Sequence, residues 1–255
     1  MNYEDFLFKV PVESLDYREN SDFVIQQIES IIKEAIDSQR NKIFINTNLR
    51  LGLPMENINK IAGPFVEAWA FEVFYEEFQK QQSEYDLVNV ETMTRLNMAD
   101  VVLQFKKRST AVVANVDVKA TSKDIEKSGK APNITSYSRI RTAYVKDPDF
   151  MFVILSLKHK VYSDRNIATG LMDGVMEVVD FNAYDLKYIS ALDISYNPAL
   201  GTGQIQIKDI HYVTRQDRTV WEFCQLLDSK YLRSRDKTVA TWEREARKNG
   251  WIKDD

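Results

Sequence analysis

The sequence has few of the residues that build covalent or flexible frameworks. Cys224 is the single cysteine among 255 residues, which excludes disulfides within the chain and zinc sites built on cysteine pairs. Eight glycines and six prolines leave little room for long linkers. There is no apolar run of about 18 residues, and the first residues lack a basic segment followed by an apolar one. We therefore expect a soluble, intracellular protein without a membrane span.

The charge is nearly balanced but unevenly distributed. Lys and Arg number 34 and Asp and Glu number 38, so the net charge of -4 argues against a protein that coats nucleic acid through bulk positive charge. Residues 119–146 are nevertheless basic, with only Asp124 and Glu126 in opposition, and residues 230–253 are basic as well. Each basic segment is either a solvated face or a binding surface for a polyanion, and composition leaves both open.

Hydrophobic periodicity predicts helices near both ends and strands between them. The fold class is therefore α/β or α+β, with a central mixed β-sheet flanked by helices, and the lack of linkers or repeats favours a single domain over residues 1–255. The predicted helices cover residues 22–38 (with Ser21 as the N-cap), 58–80, 134–146 and 219–249. The predicted strands lie at 99–119, 150–157, 174–180 and 204–213.

The segment 99–121 (ADVVLQFKKRSTAVVANVDVKAT) carries the clearest chemical pattern. Apolar residues alternate along 112–118, so Asp117 and Lys119 share the opposite face of a strand. The residues KKRST (106–110) predict a turn near Arg108, and a hairpin centred there sets Asp100 opposite position 116 or 117. Two carboxylates and one ammonium group would then meet at one end of the hairpin.

Two carboxylates this close repel each other unless a proton or a cation intervenes. A divalent metal with oxygen ligands resolves the repulsion, and Mg²⁺ typically takes one or two carboxylates and fills its shell with water and phosphate oxygens. Lys119 could then stabilise charge on a reacting phosphate or position the attacking water. The alternative is an ordinary exposed ion pair between Asp117 and Lys119.

Glu67 on the predicted helix 58–80 is a third candidate. It lies near the apolar stripe of Phe71, Phe74 and Phe78, whereas a charge pressed toward an apolar face needs a partner or a function. The alternative is a glutamate that reaches solvent or caps a neighbouring element.

These residues resemble a known nuclease core. Asp100, sixteen intervening residues, Asp117-Val118-Lys119 and the upstream Glu67 are similar to the PD-(D/E)xK motif, although Ala99 stands where that motif has proline. Longer strings, among them NINKIAGPFVEAWA (57–70) and GKAPNITSYSRIRTAYVKDP (129–148), resemble the HpaI-type family of type II restriction endonucleases over nearly the whole chain. The string APNI (131–134) also resembles HincII-type enzymes.

The resemblance implies a bacterial cytoplasmic, homodimeric, Mg²⁺-dependent endonuclease. It implies cleavage of double-stranded DNA at the centre of GTTAAC, leaving blunt ends with 5′-phosphates. By the same resemblance Asp100 and Asp117 ligate the metal with help from the Val118 carbonyl, Lys119 is the catalytic lysine, and Glu67 is the helix carboxylate.

The expected DNA contacts fall in two segments. Basic residues after Lys119 could hold phosphates, although Arg139 and Arg141 could equally lie on an outer helix face. Asn133 is assigned to the inner base pairs by resemblance, against the alternative of an asparagine in a turn. A second loop, 197–206, could reach the outer base pairs or be only a turn. The full DNA-contacting set is Gly129, Lys130, Asn133, Ser136, Tyr137, Arg139, Arg141, Asn197, Gly201, Thr202, Gly203 and Gln204.

Two other functions compete with a sequence-specific endonuclease. One is a repair or junction-resolving nuclease with the same core that recognises DNA shape. The other is a DNA-binding or structural domain in which Asp100, Asp117 and Lys119 form an inert ion-pair cluster.

Overall fold

The computed structural model describes residues 2–81, 83–93, 97–198 and 203–253. Its Cα positions separate two compact units, which we call unit 1 and unit 2. Unit 1 comprises Met1–Ser21, Lys130–Phe152 and Asp185–Asp255, and unit 2 comprises Asp22–Gly129 and Val153–Tyr184. The prediction of a single domain stays a prediction.

Helices and strands alternate irregularly along the chain, which confirms the predicted mixed fold class. The helices are α1 (Tyr17–Asp37), α2 (Met55–Gln79), α3 (Tyr137–Lys146), α4 (Val220–Leu232) and α5 (Val239–Asn249). The strands are β1 (Lys42–Ile45), β2 (Leu87–Thr92), β3 (Val101–Lys107), β4 (Thr110–Ser122), β5 (Asn133–Ser136), β6 (Phe152–Arg165), β7 (Met172–Asp185), β8 (Ile194–Asn197) and β9 (Gln204–Ile207). Within the described ranges, no helix is both long enough and apolar enough to cross a bilayer.

A six-stranded sheet in the order β1-β7-β6-β4-β3-β2 forms the centre of unit 2. The pairs β1–β7, β2–β3 and β3–β4 are antiparallel. Thr121 Oγ1 on β4 donates to the Leu157 carbonyl on β6, and the Lys123 amide donates to the His159 carbonyl. The donors at 121 and 123 meet acceptors at 157 and 159, so residue numbers increase in the same direction on both segments, as in parallel strands. The sheet therefore contains parallel and antiparallel neighbours and is mixed, as predicted.

Helix α2 packs its apolar side on this sheet. Ile58 and Ala62 near its beginning are fully buried in a cluster with Val161 of β6 and Met176 of β7. Full burial of an isoleucine, valine or methionine side chain contributes about 1.5–3 kcal/mol, and these contacts anchor the helix to the sheet. The helix is thereby held with Glu67 about two and a half turns beyond Ile58.

Unit 1 contains a smaller sheet in the order β5-β9-β8, with α3, α4 and α5. Its interior holds a fully buried ion pair between Arg141 on α3 and Asp228 on α4, with Nε and Oδ1 3.2 Å apart. Asp228 also accepts hydrogen bonds from the hydroxyls of Tyr3 at 2.7 Å and Tyr137 at 2.6 Å. Both carboxylate oxygens are therefore satisfied inside an apolar environment.

Several predicted element bounds differ from the structure. Helix α1 begins at Tyr17, so Ser21 is not an N-cap but lies inside the helix, where its hydroxyl donates to Asp185 Oδ2 at 2.9 Å. The predicted helix 134–146 is a short strand followed by α3, and the strand predicted over 204–213 ends at Ile207. Cys224 is a buried free cysteine.

The buried pair of Arg141 and Asp228 generates a stability prediction. Asp228→Ala leaves the guanidinium buried without its counter-charge, so we expect it to lower the free energy of unfolding by about 3–5 kcal/mol. Replacing both partners with apolar residues, Arg141→Met and Asp228→Leu, should cost less than the single change. Urea unfolding followed by circular dichroism measures both.

The control is the exposed pair of Arg247 and Glu243 on α5, whose Nε and Oε1 are 2.9 Å apart. Glu243→Ala should change the same free energy by about 0.5 kcal/mol or less. Similar losses for Asp228→Ala and Glu243→Ala would contradict a stabilising role of the buried pair.

Candidate active site

The β3–β4 hairpin sets the relative position of Asp100 and Asp117. Val101 pairs with Val116, and the amide of Asp100 donates to the Val116 carbonyl at 2.9 Å. One further step along this antiparallel register sets Asp100 opposite Asp117. The strands are joined through the Arg108 turn, where Lys107 pairs with Thr110. The predicted hairpin and its register are confirmed.

The alternation of β4 separates its core face from its polar face. Four alternate apolar side chains are buried, namely Val112, Ala114, Val116 and Val118. Because side chains alternate along a strand, Asp117 and Lys119 share the other face. Lys119 Nζ donates to Asp117 Oδ1 at 2.6 Å, while 23% of the lysine side chain remains exposed. The ammonium group thus bridges the buried carboxylate and the surface.

The two carboxylates differ in how their oxygens are satisfied. Asp100 Oδ2 accepts a hydrogen bond from the amide of Val118 at 2.8 Å, which orients its carboxylate toward β4. Asp117 is only 4% exposed, and its Oδ2 is buried without a hydrogen-bond partner among the described residues. A buried carboxylate oxygen without a donor is costly, so this atom is a place for a cation or donor supplied from outside the chain.

The electrostatics of Asp117 follow from its burial. Burial raises the pKa of Asp117 from 3.8 to about 7, the Lys119 ammonium opposes the rise, and the carboxylates of Asp100 and Glu67 add to it. The three acids predicted from the sequence are therefore brought into one electrostatic neighbourhood.

Glu67 and Asp100 line one cavity of about 320 Å³ between α2 and the sheet of unit 2. The Met93 amide donates to the Asp100 carbonyl at 3.0 Å, so this bond links two of the lining residues. The remaining lining residues are Pro64, Ala68, Phe71, Thr92, Met93, Asn97 and Val101. Thr92, Met93 and Asn97 were not predicted, since β2 carries no motif that links it to Asp100.

The oxygen donors at this site suit a hard cation. Carboxylates, carbonyls and water are the ligands that Mg²⁺ and Ca²⁺ prefer. Across the described ranges, no group of three or more His, Cys, Asp or Glu side chains is arranged to hold a metal ion. A cation here would therefore be held by Asp100 and Asp117 with backbone, water or substrate oxygens, a composition that Mg²⁺ accepts.

The small sheet of unit 1 gathers residues from both predicted DNA-contacting segments. Ser136 on β5 pairs with Gln204 on β9, and Gln204 pairs with Asn197 on β8. Asn133 on β5 pairs with Gln206, which the sequence analysis did not single out. The sequence pattern that indicates Gln206 is the Gln-Ile-Gln-Ile alternation of 204–207. This alternation sets both glutamines on the face opposite two buried isoleucines.

Three further predicted contacts, Gly129, Lys130 and Arg139, lie within the described ranges. Lys130 is exposed and forms an ion pair with Asp209. Gly129 ends unit 2 at a positive φ of 88°, and Arg139 is exposed on α3. Gly201 and Thr202 lie outside the described residues.

Gly203 begins the return into β9. It has a φ of +74°, and a Cβ built at this residue would lie 2.0 Å from the hydroxyl oxygen of Tyr196. The residue is buried, and its carbonyl accepts a hydrogen bond from the Tyr137 amide at 3.2 Å. Only glycine fits this backbone and this space.

Two predicted DNA contacts require correction. Arg141 is 0% exposed and Tyr137 is 1% exposed, and both side chains donate to Asp228 inside unit 1. The Arg141 guanidinium also lies 5.2 Å from the Trp251 ring centroid. Neither side chain is accessible to DNA, so both are structural. The sequence indicated a basic helix, but it did not show that Arg141 lies on the face of this helix that is buried.

Three comparisons relate the chain to known proteins. The family model described as type II restriction endonuclease HpaI matches residues 4–250. The chain is 60% identical over 254 residues to the type II restriction enzyme HpaI of Haemophilus parainfluenzae, and the match covers 100% of both chains. The solved structure of NlaIV restriction endonuclease matches 87% of each chain, with a TM-score of 0.49 and 14% identity. The first two matches extend over essentially the whole sequence, and on that ground this chain belongs to the HpaI family of type II restriction endonucleases.

Proposed function

We propose that this chain cuts double-stranded DNA at the palindrome GTTAAC by Mg²⁺-dependent hydrolysis. Cleavage falls between the central T and A and leaves blunt ends with 5′-phosphates. The observation that carries the chemistry is the hairpin register that sets Asp100 opposite Asp117, with Lys119 bonded to Asp117. The choice of site is supported by the 60% identity to HpaI along the full length.

Asp100, Asp117 and the Val118 carbonyl would hold the Mg²⁺ ion. The buried Asp117 Oδ2, which has no hydrogen-bond partner among the described residues, fits this assignment. The Val118 amide donates to the Asp100 carboxylate and holds it in place, which fixes the direction of the remaining lone pairs of Asp100. When bound, the ion would supply Lewis-acid stabilisation of negative charge on the phosphate.

Lys119 contributes a positive charge where negative charge grows on the reacting phosphate. Its ammonium is fixed by Asp117 yet remains partly exposed, so it can reach a phosphate oxygen or the attacking water. Glu67 lies on the wall of the same cavity and can accept a hydrogen bond from a water there. The hairpin and α2, which carry these residues, are held by buried apolar contacts, and this limits how far the side chains can move apart.

The enzyme acts as a homodimer in the bacterial cytoplasm. GTTAAC is a palindrome, so a two-fold symmetric dimer presents the same surface to each half-site. Within each half-site Asn133 reads the inner base pairs, and the second loop reads the outer ones through Asn197, Gly201, Thr202, Gly203 and Gln204. Gly129, Lys130, Ser136 and Arg139 contact the DNA from the first segment.

The direct test is a digest of linear DNA of known sequence with the ends mapped to the nucleotide. In Mg²⁺ we expect blunt cuts at GTTAAC alone, and we expect none when EDTA removes the metal. A matched DNA with a scrambled hexamer is the control. Cuts at junctions or irrespective of sequence would indicate a shape-selective nuclease instead.

The catalytic assignment predicts separate effects on cleavage and binding. Asp117→Ala removes a metal ligand and Lys119→Ala removes the stabilising charge, so each should lower the cleavage rate by about 100-fold or more. Specific binding, measured by fluorescence anisotropy with a labelled duplex, should persist because the base-reading residues remain.

The control is Asp180→Ala, which removes a carboxylate that lies 3.7 Å from Lys158 Nζ in the same unit. It should leave cleavage unchanged, since neither Asp180 nor Lys158 lines the cavity that contains Glu67 and Asp100. Normal cleavage by both Asp117→Ala and Lys119→Ala would refute the assignment.

Asn133→Ala should weaken discrimination at the inner base pairs. A bidentate contact between an amide and adenine contributes about 1–3 kcal/mol of discrimination. The measurement is the ratio of kcat/KM for GTTAAC to kcat/KM for duplexes altered at one inner base pair. An unchanged ratio would remove Asn133 from base reading.

A further inference from the structure

Gln206 lies between two acceptors on the exposed face of the small sheet. Its Nε2 donates to the Ala131 carbonyl and to Asn133 Oδ1, both at 3.0 Å. It faces Asn133 directly in the β5–β9 register. Both hydrogens of its amide are thus used by acceptors within the chain.

This arrangement determines which way both amides point. A side-chain amide has a donor NH₂ group and an acceptor oxygen, which are exchanged by a half-turn. Reversing Gln206 would set its oxygen against the Ala131 carbonyl oxygen. Reversing Asn133 would set its NH₂ group against that of Gln206. Either reversal loses hydrogen bonds and creates a repulsive contact.

The neighbours of Gln206 in β9 fix its position. Ile205 and Ile207 flank it in β9 and are both 0% exposed. A shift of one residue would bury the glutamine and expose the isoleucines, so the register is strongly specified. The donor that orients Asn133 therefore comes from a strand whose register is fixed by burial of its neighbours.

We propose that Gln206 is a positioning residue that holds the Asn133 amide in the orientation that reads adenine. Adenine presents an acceptor, N7, beside a donor, the N6 amino group, whereas guanine presents two acceptors, N7 and O6. With Oδ1 held toward Gln206, one lone pair of Oδ1 and the NH₂ group of Asn133 offer a fixed acceptor and donor. This pair matches adenine and sets oxygen against oxygen at guanine. The inference rests on the proposed function, in which Asn133 contacts the inner base pairs.

The experiment compares cleavage of GTTAAC duplexes with duplexes in which one inner A·T pair is replaced by G·C. The readout is the ratio of the two kcat/KM values. Gln206→Ala frees the Asn133 amide to turn, so we expect this ratio to fall about 3- to 10-fold, the effect of one hydrogen bond. Gln206→Glu keeps the size of the side chain but cannot donate, and we expect the same direction of change.

The matched control is Gln216→Ala. Gln216 lies in the same unit, and its Oε1 accepts from the Ala191 amide at 3.1 Å and from Arg218 Nη2 at 2.8 Å. Its removal tests whether losing any hydrogen-bonded glutamine of unit 1 lowers discrimination. We expect the adenine-to-guanine ratio to stay at the value of the unaltered protein.

A double-mutant cycle separates positioning from a general loss of structure. In the Asn133→Ala background, Gln206→Ala and Gln206→Glu should have no further effect on the ratio, because the group they orient is absent. Additive effects in the cycle, or full discrimination in both Gln206 variants, would overturn the inference. Failure of the unaltered protein to cut GTTAAC would instead overturn the proposed function, so the two failures are distinguishable.

Discussion

The pairing of β3 with β4 is the constraint on which the candidate active site depends. The same pairing buries the apolar side chains of β4 and brings Asp100 opposite Asp117. A slip of one residue would turn every side chain of the strand to the other face, exposing valines and burying Lys119. The free energy of core burial thereby enforces the chemical register. The Val118 amide adds a second, polar link by bonding the Asp100 carboxylate.

Two buried aspartates show how the chain separates structural from chemical roles. Asp228 accepts from Tyr3, Tyr137 and Arg141, so both its oxygens are satisfied within unit 1. Asp117 is nearly as buried, yet its Oδ2 has no partner among the described residues. A buried carboxylate whose oxygens all have hydrogen-bond partners stabilises the fold. A buried carboxylate with an oxygen that lacks a partner can bind a cation or a further donor. Burial alone would not have told these two residues apart.

Local patterns in the sequence predict the hairpin, whereas contacts between distant segments leave no local pattern. The position of the turn at Arg108 and the alternation along 112–118 determine which residues of the two strands pair. Asp100 could therefore be aligned with Asp117 from the spacing alone. Arg141 was predicted at a surface because a helix with several basic residues does not show where its partner, 87 residues away, will lie. Ser21 was predicted as a helix cap for the same reason, since its bond to Asp185 is distant in sequence.

The same limit applies to Gln206, whose partner Asn133 is 73 residues earlier in the chain. The alternation of 204–207 predicted a strand but not the strand beside it. Cross-strand amide pairs of this kind become visible only once the order of the sheet is known.

The close approach of Tyr196 to Gly203 has a consequence for how this enzyme family could diversify. A side chain at residue 203 cannot coexist with the tyrosine ring, whose hydroxyl occupies the space of a Cβ. A larger residue at position 203 must therefore be accompanied by replacement of Tyr196. Among homologues, positions 196 and 203 should then covary, and a library that randomises 203 alone would return mostly inactive clones.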